Sequence, residues 1–353
     1  MRETLTKMLN FKNPSRWEIY SRLWCVTSAF VRSISRFLPP FGRPLVKAPD
    51  EDVEQLGATD RQPPNKIPEE SGRIIFKKGV PSIKPSSDVK LLMVGMFAEV
   101  YLLKGSIVRK VPCNDAENGR LAILCEATVY SILGKHPRIV EWLSCGETDF
   151  VEIQYYPNGD LAARVLDEEK ELPEKLRRKW FQQIIEAIVK IHEHDVIHSD
   201  LALRQLFLDD NMDVRLGDFN LSQYPGHIAL GYEKVSHCLP RNYEDPNSIH
   251  SDLFALGSTL YELVARKAPY NELYPREPEA VLRSRDQSVI QARVQRQWQV
   301  DSEIEALYKN KEFPNVTKFF GGDIILGCWD GSISSASDAL ELYKALILNP
   351  HPG

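Results

Sequence analysis

The sequence predicts an α+β fold of two units, a small β-rich unit followed by a larger helical one. Between residues 89 and 157, short apolar runs alternate with turn residues, a pattern typical of β-strands, and one helical segment interrupts them. Beyond Gly159, apolar side chains recur every three or four residues, as on helices that bury one face. The chain has 353 residues, of which 43% are hydrophobic, and this is enough for two hydrophobic cores.

Five main elements are predicted in the β-rich unit. The predicted strands are 89–94, 100–103, 107–111 and 150–156, and the predicted helix is 120–133. Lys104 and Gly105 form a tight turn between the second and third strands, and Gly134 and Pro137 stop the helix. The order of these segments indicates a small sheet with one helix packed against it.

The second unit is predicted to be mainly helical. Its first long helix carries an apolar stripe of Leu176, Trp180, Ile184, Ile188 and Ile191. Another long apolar segment covers 254–264, and a short strand is predicted at 214–216. The sequence contains no internal repeat.

Charge is unevenly distributed along the chain. Lys and Arg total 44 against 49 Asp and Glu, and the formal net charge of −5 gives no overall case for a nucleic-acid partner. Residues 1–47 hold nine basic and two acidic side chains, a net of +7, which leaves −12 on the other 306 residues. A basic head therefore precedes an acidic body.

The basic head at 1–47 is predicted to form an amphipathic helix that ends at Pro39 and Pro40. Its apolar positions are Leu23, Val26, Phe30, Ile34 and Phe37. Such a pattern, rich in Arg and Ser, is typical of an organelle transit peptide or a membrane-surface helix. The structural alternative is an arm or a helix docked on the body, and these hypotheses stay open.

Two features bear on the compartment and on the start of the folded body. The six cysteines show no CxxC or Cys/His metal spacing, so a reducing compartment is expected: the cytoplasm, with mitochondrial or membrane-surface targeting by the head as a further hypothesis. The longest apolar stretch of the head, 23–31, falls short of the roughly 20 residues that cross a bilayer, so no transmembrane helix is predicted. Residues 48–88 contain six prolines and are predicted to be a linker.

Two carboxylates occur where the helical unit alternates with short strands. Asp200 lies in Ile-His-Ser-Asp-Leu at 197–201, and Asp218 follows eighteen residues later in Leu-Gly-Asp-Phe-Asn at 216–220. Two such groups suit phosphoryl transfer, because one can orient a hydroxyl nucleophile while the other holds Mg²⁺. His-x-Asp alone is a weak signal, and the surrounding pattern decides its meaning.

That pattern resembles the protein kinase family over about residues 89–345. His-Ser-Asp at 198–200 is similar to the catalytic-loop triplet of the family, and Asp-Phe-Asn at 218–220 is similar to its metal-binding triplet, with the same separation. The resemblance implies that Asp200 is the catalytic base and that Asp218 is a Mg²⁺ ligand. It also implies a two-lobed fold, with an N-lobe at 89–157, a C-lobe at 158–345, and ATP bound between them.

An upstream charged pair strengthens the resemblance. Ile-Val-Arg-Lys at 107–110 is similar to the third strand of the family, whose lysine pairs with the α- and β-phosphates. Lys110 would take that role, and Glu126 would be its helix partner. Glu126 lies in an otherwise apolar stripe, where burial without a cation would cost several kcal/mol. Lys110 is therefore its natural partner.

The nucleotide-binding residues implied by the resemblance are less regular. The segment 94–100 occupies the position of the glycine-rich loop, but of its glycines only Gly95 is present, followed by Val100. A loop with fewer glycines brings fewer backbone N–H groups close to phosphates, so weakened nucleotide binding is an expectation. The hinge would bind adenine through backbone groups of Gln154 and Tyr156. Asp160 would reach the ribose, or it caps the following helix.

Several departures from the family pattern affect the predicted chemistry. Gln205 stands where the family has the asparagine that binds a second metal ion, and its extra methylene makes that ion doubtful because Mg²⁺ tolerates misplaced ligands poorly. Ser199 replaces the arginine that would bind a phosphorylated activation loop, and the loss of this cation disfavours phosphorylation there as the switch. The resemblance also places Arg204 among the catalytic residues. Its position four residues after Asp200, with Ala202 between them, is similar to the pattern of tyrosine kinases.

Two further residues concern the architecture around the site. The activation segment of the resemblance follows the triplet at 218–220 and closes at Arg241. Arg241 replaces the glutamate that the family has at this end, and the arginine that would pair with that glutamate is absent near residues 328–329. Their joint loss avoids an unpaired buried charge. Asp252, at the start of the apolar segment at 254–264, would hold the catalytic-loop backbone.

The resemblance implies an ATP- and Mg²⁺-dependent protein kinase that phosphorylates a protein hydroxyl, with Ser/Thr or Tyr left open. The alternative is a pseudokinase scaffold that binds nucleotide or partners with little phosphotransfer. A small-molecule phosphotransferase is disfavoured by the peptide-docking segments at 231–242 and 251–270. The expected partner is a protein substrate rather than a nucleic acid, and the oligomeric state stays open.

Overall fold

The computed structural model describes residues 88–113, 117–146 and 149–348. Both predicted units are present, and they form the N-lobe and C-lobe of a two-lobed α+β fold. The basic head and all of the predicted linker except Asp88 lie outside the described residues. No helix in the described part of the chain is long and apolar enough to cross a membrane.

The N-lobe is a five-stranded antiparallel sheet in the order β1-β2-β3-β5-β4, with one helix packed against it. Its elements are β1 (Val89–Val94), β2 (Ala98–Leu103), β3 (Ile107–Pro112), α1 (Glu117–Leu133), β4 (Trp142–Cys145) and β5 (Val151–Gln154). The turn between β2 and β3 has positive φ at Lys104 (50°) and Gly105 (73°). Two successive positive φ angles match the twist of a hairpin, so the predicted turn is confirmed.

The predicted N-lobe elements are all found, with shifted ends. The predicted helix at 120–133 begins three residues earlier, at Glu117, and the strand predicted at 150–156 is shorter, Val151–Gln154. The sequence did not predict β4, because its four residues are too few to show a clear alternation of apolar and polar side chains.

The C-lobe is helical apart from one short hairpin. Its elements are α2 (Leu161–Val165), α3 (Glu174–His192), β6 (Leu206–Leu208), β7 (Val214–Leu216), α4 (Ile249–Ala265), α5 (Glu279–Leu282), α6 (Gln287–Lys309), α7 (Gly322–Asp330) and α8 (Ala336–Leu348). Single turns of 3-10 helix occur at Leu203–Gln205, Val235–His237 and Asn271–Leu273.

The C-lobe core forms around α3 and α4. The predicted stripe of α3 is buried, with Trp180, Ile184 and Ile188 fully enclosed, and 14 of the 17 residues of α4 are buried. Ser248 is the N-cap of α4, and its hydroxyl accepts from the backbone of Ser251 in a capping box. Helices α7 and α8 pack on α4 and α3, respectively, and this fixed core carries the loops that form the site.

Candidate active site

A two-stranded hairpin brings the two predicted carboxylates to one place. Leu206 in β6 pairs with Leu216 in β7, and just beyond that pair the N–H of Gly217 donates to the carbonyl of Gln205 at 2.9 Å. The loop that carries Asp200 leads into β6, and Asp218 follows β7. The hairpin therefore places side by side two loops that are eighteen residues apart in sequence.

Lys110 forms ion pairs with two carboxylates. Its Nζ lies 2.8 Å and 3.0 Å from the carboxylate oxygens of Glu126 and 2.6 Å from Oδ1 of Asp218. Lys110 and Glu126 are both buried, as the apolar surroundings of Glu126 predicted. Burial works against the charge of Lys110, but the carboxylates of Asp218 and Glu126 outweigh it and raise the pKa of the lysine. Lys110 in turn holds the pKa of Asp218 below its ordinary value despite burial.

The carboxylate of Asp200 receives two side-chain donors. Nε2 of Gln205 donates to Oδ2 of Asp200 at 2.6 Å, and Nη2 of Arg204 donates to Oδ1. Gln205, predicted as a metal ligand, therefore contacts Asp200 through its amide nitrogen and keeps only Oε1 for a cation. Arg204 is brought to the site as predicted. Two donors on two oxygens fix the orientation of the Asp200 carboxylate.

Asp252, near the start of α4, holds the backbone of the catalytic loop in place. The buried carboxylate of Asp252 accepts the N–H of His198 at 2.7 Å and the N–H of Ser199 at 3.1 Å, which confirms the predicted role of Asp252. Ser199 has a left-handed backbone, with φ of 67°, and charge-assisted bonds of this kind stabilise such a conformation. Asp252 therefore fixes the loop immediately before Asp200.

An aromatic cluster fixes the segment that carries Asp218. Phe219 is fully buried, its ring meets that of Tyr130 edge to face at 5.3 Å, and it lies 5.2 Å from the ring of His198. His198 Nε2 donates to the carbonyl of Gly217 at 3.1 Å. Asp218 itself has a left-handed φ of 61°. With Phe219 buried in this way, the carboxylate of Asp218 is directed to Lys110.

The residues predicted to bind nucleotide have mixed surroundings. Val100 pairs with Lys110 across β2 and β3, and both side chains are buried. The N–H of Gly95 donates to the carbonyl of Ala98 at 2.8 Å, which closes the turn before β2. Gly95 and Val100 therefore lie on the short loop and strand next to Lys110.

The hinge residues Gln154 and Tyr156 follow at the end of β5. The N–H of Gln154 donates to the carbonyl of Glu141 at 2.9 Å, and the phenol oxygen of Tyr156 accepts the N–H of Glu141 at 3.0 Å. Asp160 accepts the N–H of Ala163 at 2.9 Å and is the N-cap of α2. Of the two roles open for Asp160, the structure shows helix capping.

The activation segment is held by a network centred on Asn247. The Asn247 side chain accepts from Nη2 of Arg241 and donates to the carbonyl of Gly231 at 3.1 Å. The backbone carbonyl of Asn247 accepts from Nε2 of Gln223 at 2.8 Å. Gln223 also exchanges two backbone bonds with Ile197, both of 2.9 Å. Arg241, which stands where the family has a glutamate, therefore donates to neutral acceptors, the side chain of Asn247 and the carbonyl of Leu239.

One feature of this segment was not predicted. Glu233 is 5% exposed, and neither of its carboxylate oxygens has a hydrogen-bond partner among the described residues. Burial raises the pKa of Glu233 to about 8, against the opposing effect of Arg241. The sequence missed this group because nothing local to Glu233 indicates that it is buried.

A second missed residue is Tyr130. Its hydroxyl lies 3.3 Å from Oε1 of Glu126, and its ring contacts Phe219. The available signal was its spacing, since residues four apart on a helix share one face.

Comparison with known proteins agrees with this geometry. The protein kinase domain profile matches residues 92–348. The chain is 31% identical over 198 residues to the cell cycle serine/threonine-protein kinase CDC5/MSD2 of Saccharomyces cerevisiae, covering 51% of this chain and 26% of that protein. It is 33% identical over 145 residues to the mouse serine/threonine-protein kinase Nek3, covering 38% and 28%, respectively.

A plant relative gives a similar result. The chain is 35% identical over 150 residues to the carbon catabolite-derepressing protein kinase of Secale cereale, covering 39% of this chain and 29% of that protein. The matches span between 26% and 29% of the length of these three relatives. Taken with the two-lobed fold and the profile match over most of its length, the chain belongs to the protein kinase family.

Proposed function

We propose that this chain is an ATP- and Mg²⁺-dependent protein kinase that transfers the γ-phosphoryl group to a protein hydroxyl. The observation that carries the proposal is Lys110 bound to Glu126 and Asp218 at once, beside an oriented Asp200. A pair of buried ions is costly to maintain, and a fold without catalytic need could replace it with apolar side chains.

The residues fit the cofactors that the family uses. Asp218 contacts Lys110 through Oδ1, so the ion pair leaves Oδ2 as a hard oxygen donor of the kind Mg²⁺ prefers. The Lys110 ammonium, kept charged by two carboxylates, is a donor for phosphate oxygens. When bound, Mg²⁺ neutralises charge on the β- and γ-phosphates.

The mechanism assigns each side chain one task. Lys110, held by Glu126, orients the α- and β-phosphates. Asp218 would hold the metal ion. Asp200 would accept the proton of the substrate hydroxyl as the hydroxyl oxygen attacks the γ-phosphorus, the bond from that phosphorus to the β–γ bridging oxygen breaks, and ADP leaves. Gln205 acts mainly by fixing Asp200, since its amide nitrogen is already bound there.

A cavity of about 490 Å³ supports a protein as the substrate. Its lining includes Phe97 of the loop before β2, Ala202 and Arg204 of the catalytic loop, Val235 of the activation segment, and Tyr274. Arg204 binds Asp200, so the cavity reaches the proposed base. An extended peptide laid along the activation segment would present its hydroxyl there.

The competing function is a pseudokinase scaffold, supported by the single glycine of the loop and by Gln205. An isotope-transfer assay with γ-labelled ATP, Mg²⁺ and a mixed protein substrate separates the two. Wild type should transfer label, Asp200→Ala should lose at least 100-fold, and Asp210→Ala, which removes an exposed carboxylate ten residues away, should be unaffected. Equal background from wild type and Asp200→Ala, with nucleotide binding retained, would favour the scaffold.

For the basic head at 1–47 we keep the targeting hypothesis, which its charge and periodicity support. The proposed location of the protein is the cytoplasm, and the basic head would direct it to mitochondria or to a membrane surface. Fusing residues 1–45 to a fluorescent protein tests this, and a diffuse signal would remove the targeting role.

A further inference from the structure

Tyr130 is a buried polar side chain that the proposed mechanism does not use. It lies one helical turn after Glu126 on α1, so the two side chains share one face of the helix. The Tyr130 side chain is 1% exposed, and its hydroxyl lies 3.3 Å from Oε1 of Glu126. A carboxylate cannot donate here, so the phenol is the donor and the carboxylate the acceptor.

The same hydroxyl also faces the segment that carries Asp218. A β-carbon placed on Gly217 would lie 3.2 Å from the phenol oxygen of Tyr130 and 2.8 Å from a methyl of Val140. A side chain at position 217 would therefore crowd the Tyr130 hydroxyl. The two neighbours of this hydroxyl, Glu126 and the 217–218 segment, carry the two partners of Lys110.

The phenol stays a donor over the working pH range. Burial raises the pKa of Tyr130 well above its ordinary value, and the carboxylate of Glu126 raises it further. The ring makes a separate contribution, because it packs edge to face on Phe219 with an interplanar angle of 87°. Removal of the hydroxyl alone therefore leaves the aromatic contact in place.

We infer that Tyr130 is a positioning residue whose hydroxyl fixes the Glu126 carboxylate against the 217–218 segment, so that Lys110 keeps both of its partners. Without that bond, Glu126 retains only its contacts with Lys110 and can rotate about its side-chain torsions. The inference deepens the proposed function, since it names what aligns the lysine that would bind phosphate.

A direct test is the reactivity of Lys110 in the nucleotide-free full-length chain. The rate at which an amine-reactive ester labels Lys110, mapped by mass spectrometry, should rise about tenfold in Tyr130→Phe, because a bond to a charged group is lost. Tyr343→Phe is the matched control. It removes a buried phenol whose hydroxyl donates to the carbonyl of Arg178 at 2.9 Å, far along the chain in the C-lobe, and it should leave the rate unchanged.

A second measurement separates alignment from general stability. ATP should bind Tyr130→Phe about tenfold more weakly, whereas adenosine, which has no phosphates for Lys110 to hold, should bind as it does to wild type. Unchanged labelling of Lys110, or an equal loss of ATP and adenosine affinity with a matching fall in melting temperature, would overturn the inference. If Tyr130→Phe shows the expected rise in Lys110 labelling but the wild type transfers no phosphate, the result would count against the proposed function alone.

Discussion

The buried carboxylate of Glu233 leads to a quantitative prediction about pH and stability. Glu233 lies in the activation segment, is 5% exposed, and has no hydrogen-bond partner on either oxygen among the described residues. Burial raises its pKa from 4.5 to about 8, with Arg241 opposing the rise. Between pH 4.5 and about 8, the Glu233 carboxyl is therefore mainly protonated in the folded protein and mainly ionised in the unfolded chain.

The sign of the effect follows from proton linkage. Because the folded state binds more protons than the unfolded state between pH 4.5 and 8, the free energy of unfolding falls as the pH rises through this interval. A shift of one pKa unit is worth about 1.4 kcal/mol, so Glu233 lowers stability by about 3 to 4 kcal/mol between pH 5 and pH 8. Glu233→Gln removes this dependence, since an amide stays neutral.

Urea unfolding of the full-length chain at pH 5, 6, 7 and 8 measures the effect. The stability advantage of Glu233→Gln over wild type should grow by about 3 to 4 kcal/mol from the lowest to the highest pH. Glu303→Gln, which changes an exposed carboxylate of α6, should show no such trend. An advantage that stays constant with pH, or a Gln variant less stable throughout, would show that Glu233 is ionised and paired with Arg241, and would refute the reasoning.

Three further variants test other contacts. Asn247→Ala removes the amide that joins Arg241 to the carbonyl of Gly231, and it should cost about 1–3 kcal/mol and speed proteolysis within the activation segment; unchanged cleavage would contradict the network. Gly321→Ala places a β-carbon 2.5 Å from the ring of Phe181 at a φ of 71°, so its free energy of unfolding should fall by roughly 2 kcal/mol or more and its melting temperature should drop; an unaltered melting temperature would argue against this packing. Gln205→Leu removes a donor from Asp200 and should lower kcat about tenfold with ATP affinity retained; a loss confined to ATP binding would instead indicate a metal-binding role.

Part of the site could be predicted because its chemistry is visible locally. Glu126 stands out as a charge on an apolar helical face, and burial requires a cation, which Lys110 supplies. Asp252 was predicted differently, from the family resemblance, because a carboxylate at the start of a helix is favourable in any protein. Only for Glu126 does the residue type conflict with its surroundings, and one partner resolves that conflict.

Other features depend on contacts that the sequence does not contain. Whether Gln205 turns its amide nitrogen or its oxygen toward the site is decided by the nearby Asp200 carboxylate, which attracts the N–H. Asp160 had two possible roles, and the backbone of α2 determines that it caps the helix. Glu233 is buried only in the folded protein, and nothing in the neighbouring sequence indicates that burial or the lack of a partner among the described residues.

The central claim is that Asp200, Lys110 and Asp218 form a working phosphotransfer site. The most direct measurement uses the full-length chain, treated with phosphatase and freed of it, with Mg²⁺, γ-¹⁸O-labelled ATP and a mixture of peptides containing Ser, Thr or Tyr. We expect isotope-labelled phosphate on a peptide hydroxyl with the wild type and none with Asp218→Asn. Tight binding of ATP with no labelled peptide at any Mg²⁺ concentration would contradict it.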